Sequence, residues 1–388
     1  MKKIFSFLIP FALMSSYSLA DEKSKKPEKP KKVKVQKKKR PTPPTRSYKD
    51  ASAPDFTLLS QVNSLQDLLN SNRNYVASPL YAKAPETKRS DGVPQGKIHQ
   101  FEVHSKDGTI YNPGIARKVF GTPDPKNPKT LIVDTHEIDF SRVVTVYIPE
   151  QIDKTQANPF MVVHDGPKKM DGSNKGLNTI FDNLIAQKRI PPMIVISMAN
   201  GGGDAQGHQR GREYDTMSGL FAEYIETHIL PEVERRYQLN LTKDPKARGV
   251  MGISSGASAA LAMAWYRNDL YTRVLSFSGT FVNQQWPYNP ETPGGAWEFH
   301  NSLIPNTPKK DIRIWLAVGD RDLLNPNVMR DGMHDWVEAN HRMAKVLKAK
   351  GYDYQYFFCE DNRHGMGPAR QKFTPHAIEW LWRDYTKN

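Results

Sequence analysis

The chain has 388 residues, 38% hydrophobic and 25% charged, with a formal net charge of +14. Residues 21–49 carry thirteen Lys or Arg against three acidic residues, and everything after Lys49 nets only about +2. A basic nucleic-acid-binding face on the folded part is therefore excluded. With one cysteine, Cys359, so is an internal disulfide.

Lys2 and Lys3, the apolar run 4–14 and the ending Ser18-Leu19-Ala20 predict a cleaved secretory signal peptide over residues 1–20. The run is shorter than the ~20 residues that cross a bilayer, so an uncleaved anchor is the lesser reading. The expected location is periplasmic or extracellular. Residues 21–50 are rich in Lys and Pro with almost nothing to bury, which predicts a disordered basic linker. It serves as a tether or as a contact to an anionic cell surface. Residues 51–95 hold one short helix signal, Leu65–Leu69, among many Pro, Ser and Asn, and read as an irregular lead-in.

From Gly96 to residue 388, strand and helix signals alternate. Strands are expected at Ile98–Val103, Val143–Ile148, Phe160–Val163, Met193–Met198, Gly249–Met251, Val274–Phe277, Ile312–Val318 and Tyr354–Cys359. Leu177, Ile180, Phe181, Leu184 and Ile185 share one helical face. Further helices are expected over about 218–237, 256–266, 336–350 and 374–385. Buried apolar strands alternating with helices specify an α/β fold, a mostly parallel central sheet covered on both faces. Reactive groups in such sheets gather at the carboxyl ends of the strands. Cys359, inside an apolar strand run, is expected to be buried rather than reactive.

Gly252-Ile253-Ser254-Ser255-Gly256 is a G-x-S-x-G motif between a strand and an Ala-rich helix. Such a turn strains the serine backbone and lifts its hydroxyl above the sheet edge. A neutral serine needs a base, and the base an orienting acid. In this strand–turn–helix arrangement they follow in the order Ser, Asp or Glu, His. Asp322, in Gly319-Asp320-Arg321-Asp322 after a strand, is the expected acid, with Asp320 as the alternative. His364, on the loop after the last strand, is the expected base. His341 and His376 lie in helices, whereas His334 lies in a loop that follows no strand. An oxyanion hole is expected from the amide of Ser255 and one from the loop after Val163. Pro167 has no N–H, so that donor is Gly166 or Lys168, with Gly166 preferred.

The chain from about Val93 to Asp384 resembles the esterase D family, which includes enterochelin, feruloyl and acetylxylan esterases and S-formylglutathione hydrolases. The likeness rests on Val162-Val163-His164-Asp165-Gly166, Arg212-Glu213-Tyr214, Gly252–Gly256, Gly319–Asp322, His364-Gly365 and Ile378-Glu379-Trp380-Leu381-Trp382. The proline after Asp165-Gly166 departs from the family pattern. The resemblance implies an α/β-hydrolase fold, a Ser254–Asp322–His364 triad and ester hydrolysis without metal or cofactor.

Arg212 and Glu213 are expected to form a buried ion pair, with Arg212 alternatively binding an acidic substrate group. The insertion from Trp286 to Trp297 is a lid, a sugar-stacking wall or a packed surface loop. Gly201-Gly202-Gly203-Asp204 lacks the Gly-Lys-Ser/Thr of a phosphate loop. The expected activity is an exported serine esterase acting on a carbohydrate acyl ester or a siderophore lactone. An acyltransferase of the same fold and a non-catalytic cell-surface binding protein are the alternatives.

Overall fold

The computed structural model describes residues 42–166, 170, 176–325 and 331–385. The expected signal peptide and the linker as far as Pro41 lie outside them. From Pro43 onward the chain forms one compact unit.

The first strands are β1 (Thr57–Leu58), β2 (Asn74–Ala77) and β3 (Lys97–His104). Four short ones follow, β4 (Gly114–Arg117), β5 (Thr122–Pro123), β6 (Leu131–Ile132) and β7 (Thr135–Ile138). Then come β8 (Ser141–Ile148), β9 (Phe160–His164), β10 (Ile194–Met198) and β11 (Arg248–Ile253). The last are β12 (Arg273–Phe277), β13 (Arg313–Arg321) and β14 (Asp353–Arg363). Ten of these form one sheet in the order β1-β2-β14-β13-β12-β11-β9-β10-β8-β3. Pairing is parallel from β1 through β10, and β8 and β3 close the edge antiparallel. The pairs β4–β7 and β5–β6 stand outside it as two small antiparallel ribbons.

The helices are α1 (Leu65–Leu69), α2 (Leu177–Ala186), α3 (Gln209–Tyr214), α4 (Leu220–Tyr224) and α5 (Leu230–Tyr237). They continue with α6 (Ser255–Tyr266), α7 (Ile304–Asn306), α8 (Trp336–Ala349) and α9 (Gly367–Trp382). Strand alternation sorts the core into two layers. On β13, Ile314, Leu316 and Val318 join the layer under α4–α6 and α8. Trp315 and Ala317 between them join the layer under α1, α2 and α9.

Three expectations change. The lead-in 51–95 is not separate: β2 pairs with β14, so these residues widen the sheet. The helix expected over 218–237 is α4 and α5 joined by a π turn at Ile225–Ile229. Pro231, with no N–H to donate, sits in the first turn of α5, where the ladder must change pitch. The closing helix starts at Gly367, earlier than expected, because Pro375 lies inside it without ending it.

Candidate active site

Every residue of β11 except Ile253 at its end is buried, and α6 starts directly after it. Ser254, between them, has φ 60° and ψ −133°, a sparsely populated conformation for a non-glycine residue. The flanking glycines make this turn sterically feasible. A Cβ on Gly252 would stand 1.9 Å from the Gly256 carbonyl oxygen, and one on Gly256 would stand 3.0 Å from His164 Cβ. The small residues of α6 (Ala257, Ala259, Ala260, Ala262 and Ala264) are all buried and let the helix lie close on the sheet.

β13 carries the acid. Its register shifts between Gly319 and Arg321, which turns the chain and brings Asp322 inward. The Asp322 side chain is fully buried, and Oδ1 accepts from the Leu323 amide at 2.7 Å. β14 runs to Arg363, so His364 leaves the strand directly above the sheet end. Two bonds fix that loop: the Asn362 amide donates to Asp320 Oδ1 at 3.0 Å, and the Gly365 amide donates to Ser278 Oγ at 2.9 Å.

These elements bring Ser254, His364 and Asp322 into one chain of hydrogen bonds. His364 Nδ1 lies 2.5 Å from Asp322 Oδ1 and Nε2 lies 2.9 Å from Ser254 Oγ. A carboxylate only accepts, so Nδ1 carries the proton and the Nε2 lone pair faces the serine hydroxyl. Of the two aspartates, Asp322 reaches the imidazole and Asp320 braces the loop. His341 and His376 are buried elsewhere, each pushed down to about 3, with burial the main cause. His334 bonds Asp331 at 2.9 Å.

Two residues that sequence reasoning missed support this chain. Thr280 Oγ1 lies 3.4 Å from Ser254 Oγ and accepts from Trp336 Nε1 at 3.1 Å. The Trp336 ring stands edge-on to the His364 ring, with centroids 6.1 Å apart. Neither residue belongs to a motif, and their contacts arise only when α8 folds over the sheet.

The Ser255 amide lies in the first turn of α6 and donates to no acceptor among the described residues, so it is free for an oxyanion. Gly166 is a different case. Its amide donates to the Met198 carbonyl at 2.9 Å, continuing the β9–β10 ladder, so it is not available as the second donor. Its glycine character has another cause: a Cβ there would stand 2.3 Å from Ser197 Oγ. Lys168, the alternative donor, lies outside the described residues.

α3 braces the turn after β9 through Arg210 and Tyr214, one helical turn apart. Arg210 grips Asp165, whose φ is 58°, with Nε to Oδ1 and Nη2 to Oδ2 both at 3.1 Å. Asn200 donates to Asp165 Oδ1 at 2.8 Å. Tyr214 stacks on His164 at 5.1 Å, and its hydroxyl accepts from the Asp165 amide at 3.2 Å. His164 Nδ1 donates to the Gly256 carbonyl at 2.7 Å, tying this turn to the one at Ser254.

The expected Arg212–Glu213 pair does not form. Glu213 instead meets Arg142 of β8, fully buried, with Nη2 to Oε1 at 2.5 Å and Nη1 to Oε2 at 3.2 Å. A helix places residues 212 and 213 about 100° apart, so both cannot face the sheet. Arg212 points outward, donates to the Pro113 carbonyl at 2.9 Å and covers Tyr111. That position does not support substrate binding. Trp286 is half-buried, and its indole donates to the Leu131 carbonyl at 3.2 Å. This pins the insertion against β6, while Gln284 at its base lies 3.4 Å from Ser255 Oγ.

Cys359 is buried, and burial raises its thiol pKa well above the usual range. Among the described residues no group of three or more His, Cys, Asp or Glu could hold a metal ion. No described helix is long and apolar enough to cross a membrane.

The Esterase family model matches residues 135–378, more than half of the chain and all of the elements just described from β9 to His364. No curated protein sequence matches the chain. Among solved structures it is similar to a ferulic acid esterase, at 16% identity and a TM-score of 0.50, covering 75% of this chain and 100% of that one. It is also similar to the feruloyl esterase module from Clostridium thermocellum (16% identity, TM-score 0.46, 80% and 97% covered). The enterochelin esterase from Shigella flexneri is a third (17%, 0.45, 71% and 61%). At these identities the likeness is one of fold. The family match is what assigns the chain: it belongs to the esterase family of α/β-hydrolases and is a carboxylic-ester hydrolase.

Proposed function

We propose that the protein is an exported serine esterase that works through an acyl-enzyme on Ser254. The observation that carries this reading is the Ser254–His364–Asp322 chain, 2.9 and 2.5 Å, at a strained strand-to-helix turn. Ser254 Oγ attacks the ester carbonyl while its proton passes to His364 Nε2. Asp322 holds the resulting imidazolium by its Nδ1 proton. The negative charge on the former carbonyl oxygen faces the Ser255 amide at the N-terminus of α6. Collapse breaks the C–O bond, and Nε2 returns the proton to the leaving alcohol. Water, deprotonated by the same nitrogen, then releases the acid and restores the Ser254 hydroxyl.

The proposed substrate is an acyl ester of a carbohydrate, with a siderophore lactone as the second choice. The half-buried Trp286 and exposed Tyr288 on the insertion beside Ser255 favour the carbohydrate, since aromatic faces stack on sugar rings. Export rests on residues 1–20, and the basic linker is read as a tether whose charge suits an anionic cell surface.

Hydrolysis of a short-chain nitrophenyl ester by the wild type, with loss of about 10⁴-fold or more in Ser254→Ala, is the expected result. No hydrolysis by the wild type across acetyl, butyryl and feruloyl esters would overturn the reading. Acetylated-sugar, feruloyl and ferric-siderophore esters, compared by kcat/KM, then separate the substrate classes. N-terminal sequencing of the exported protein is expected to begin at Asp21.

A further inference from the structure

Eight large apolar side chains are exposed among the described residues, and five of them lie on the two small ribbons or the insertion: Val119, Phe120, Ile132, Ile138 and Tyr288. Single exposed apolar residues are ordinary, whereas a cluster is not. Val119 and Phe120 lead into β5, and Ile132 on β6 pairs with Thr122. Gly121 packs closely enough on β6 that a Cβ there would stand 2.8 Å from the Ile132 carbonyl oxygen. These three apolar residues thus form one tip, 68, 53 and 58% exposed. The tip is braced from below. The Arg117 guanidinium lies 4.6 Å from the centre of the Phe120 ring and pairs with Asp204. Trp286 and Asn283 donate to the Leu131 and Lys129 carbonyls at 3.2 and 2.9 Å. Gln284, between those two anchors, lies 3.4 Å from Ser255 Oγ, so the ribbon stands at the rim of the catalytic face.

The chain enters the compact unit at the same face. The Arg46 amide donates to the Asp320 carbonyl at 2.9 Å, and its guanidinium pairs with Asp335, so Arg46 is held on either side of Asp322. Residues 21–49 net +10, thirteen basic residues less three acidic, and their last members therefore join the fold beside the catalytic acid. The turn between β5 and β6 adds Lys126 and Lys129 against Asp124.

We propose that the ribbon tip docks the protein on an anionic lipid surface, with the catalytic face towards it. Val119, Phe120 and Ile132 enter the headgroup boundary while the basic residues meet the lipid phosphates. An apolar tip and a concentrated positive charge are the two features such a surface binds, and together they hold more firmly than either alone. A soluble polyanion would use the charge and leave the apolar tip in water, which is why lipid is the occupant. The mouth of the site then faces esters displayed at that surface. The part played by the linker charge rests on its reading as a tether, and no part of the docking rests on the acyl-enzyme.

The test uses the chain from Asp21, which omits the apolar run 4–14 and keeps the compact unit from Pro43 whole. It is expected to sediment with vesicles of phosphatidylcholine and phosphatidylglycerol, and not with phosphatidylcholine alone. The triple variant Val119→Ser, Phe120→Ser, Ile132→Ser is expected to lower the partition coefficient about tenfold or more, and Lys37→Glu, Lys38→Glu, Lys39→Glu about 100-fold. Ile132→Cys carrying an environment-sensitive fluorophore reports orientation without removing the tip, because Cys359 is buried and escapes the label. Its emission is expected to shift to the blue on the anionic vesicles. The same label on Lys246→Cys, an exposed position before the start of β11 and so at the opposite end of the sheet, is expected to show no shift. Undiminished binding by the ribbon variant overturns the proposal, as does a blue shift at both positions or at neither. A chain that binds dextran sulfate and no vesicle also overturns it and marks a polyanion as the partner. If the ribbon variant loses the vesicles and the linker variant keeps them, the docking stands and the tether reading fails. Nitrophenyl-ester hydrolysis by the ribbon variant is expected within about twofold of wild type. Absence of hydrolysis in the wild type would sink the esterase reading and leave the vesicle result to decide the docking.

Discussion

At the scale of single residues, Asp320 and Asp322 lie two positions apart on one turn and do separate work. Asp322 meets the imidazole, while Asp320 receives the Asn362 amide that carries His364 into place. Asp322→Asn is expected to lower kcat by about 10⁴-fold with little change in unfolding free energy, because the amide disfavours the required imidazole tautomer. Asp320→Ala is expected to cost about 1–3 kcal/mol of stability, having left a buried amide unpaired. Its kcat should fall far less than that of Asp322→Asn. Steady-state kinetics and urea unfolding of both variants check this, and equal losses of kcat would contradict the division. Spacing and order along the chain made Ser254, His364 and the pair of aspartates legible in the sequence. The choice between the aspartates was not, because it depends on how β13 kinks between Gly319 and Arg321. Gly166 was misread for a similar reason: whether an amide is free depends on the neighbouring strand, and here the Met198 carbonyl takes it.

At the scale of elements, α3 is a short helix whose side chains hold the floor of the site. Arg210 grips Asp165, Tyr214 stacks on His164, and Glu213 pairs with Arg142 across to β8. Glu213 also accepts from the Gly201 amide at 3.1 Å and from Gln209 at 2.7 Å, so the carboxylate is well supplied with donors. Removing one partner of such a buried pair leaves an uncompensated charge. Glu213→Gln and Arg142→Met are each expected to cost about 3–5 kcal/mol, and the double variant much less than their sum. A double-mutant cycle by denaturant unfolding measures the coupling, and additive losses would show that the pair contributes nothing of its own. The sequence motif Arg212-Glu213-Tyr214 marked this helix, but adjacency suggested the wrong partner for Glu213. The arginine that pairs with it is 71 positions away, and only the pairing of β8 with β10 brings it near. Regular elements were easier to read. Strand alternation and the apolar face of α2 follow from local periodicity, whereas β2 has only four residues and joins the sheet through distant β14.

At the scale of the whole molecule, the response to pH is set by buried groups that titrate in opposite senses. His300, His341 and His376 are each pushed down to about 3, with burial the largest cause. A histidine whose folded pKa lies below its unfolded value of about 6.5 binds its proton more readily when unfolded. Its contribution to stability is therefore complete above about pH 6.5 and lost as pH falls towards 3. Each such group steepens acid unfolding by up to about 1.4 kcal/mol per pH unit. Asp215, raised by burial to about 7, acts in the other direction: it favours folding below the unfolded carboxyl range and loses that advantage as pH rises through about 7. Three histidines outweigh one aspartate up to and beyond pH 7, so these groups make stability rise from acid pH to a plateau reached above neutrality, with no link to the pI of about 9.5, which the linker largely sets. His376 offers the cleanest test, because its Nε2 bonds Gln355 Oε1 at 2.9 Å inside the layer under α9, remote from Ser254. His376→Gln keeps a donor at that position without a titrating proton. The variant is expected to unfold with about one fewer proton taken up between pH 6 and 4, while its nitrophenyl-ester kcat stays within about twofold of wild type. Unfolding free energies measured at a series of pH values give the proton count from their slope, and an unchanged slope would show that His376 is already protonated in the folded protein.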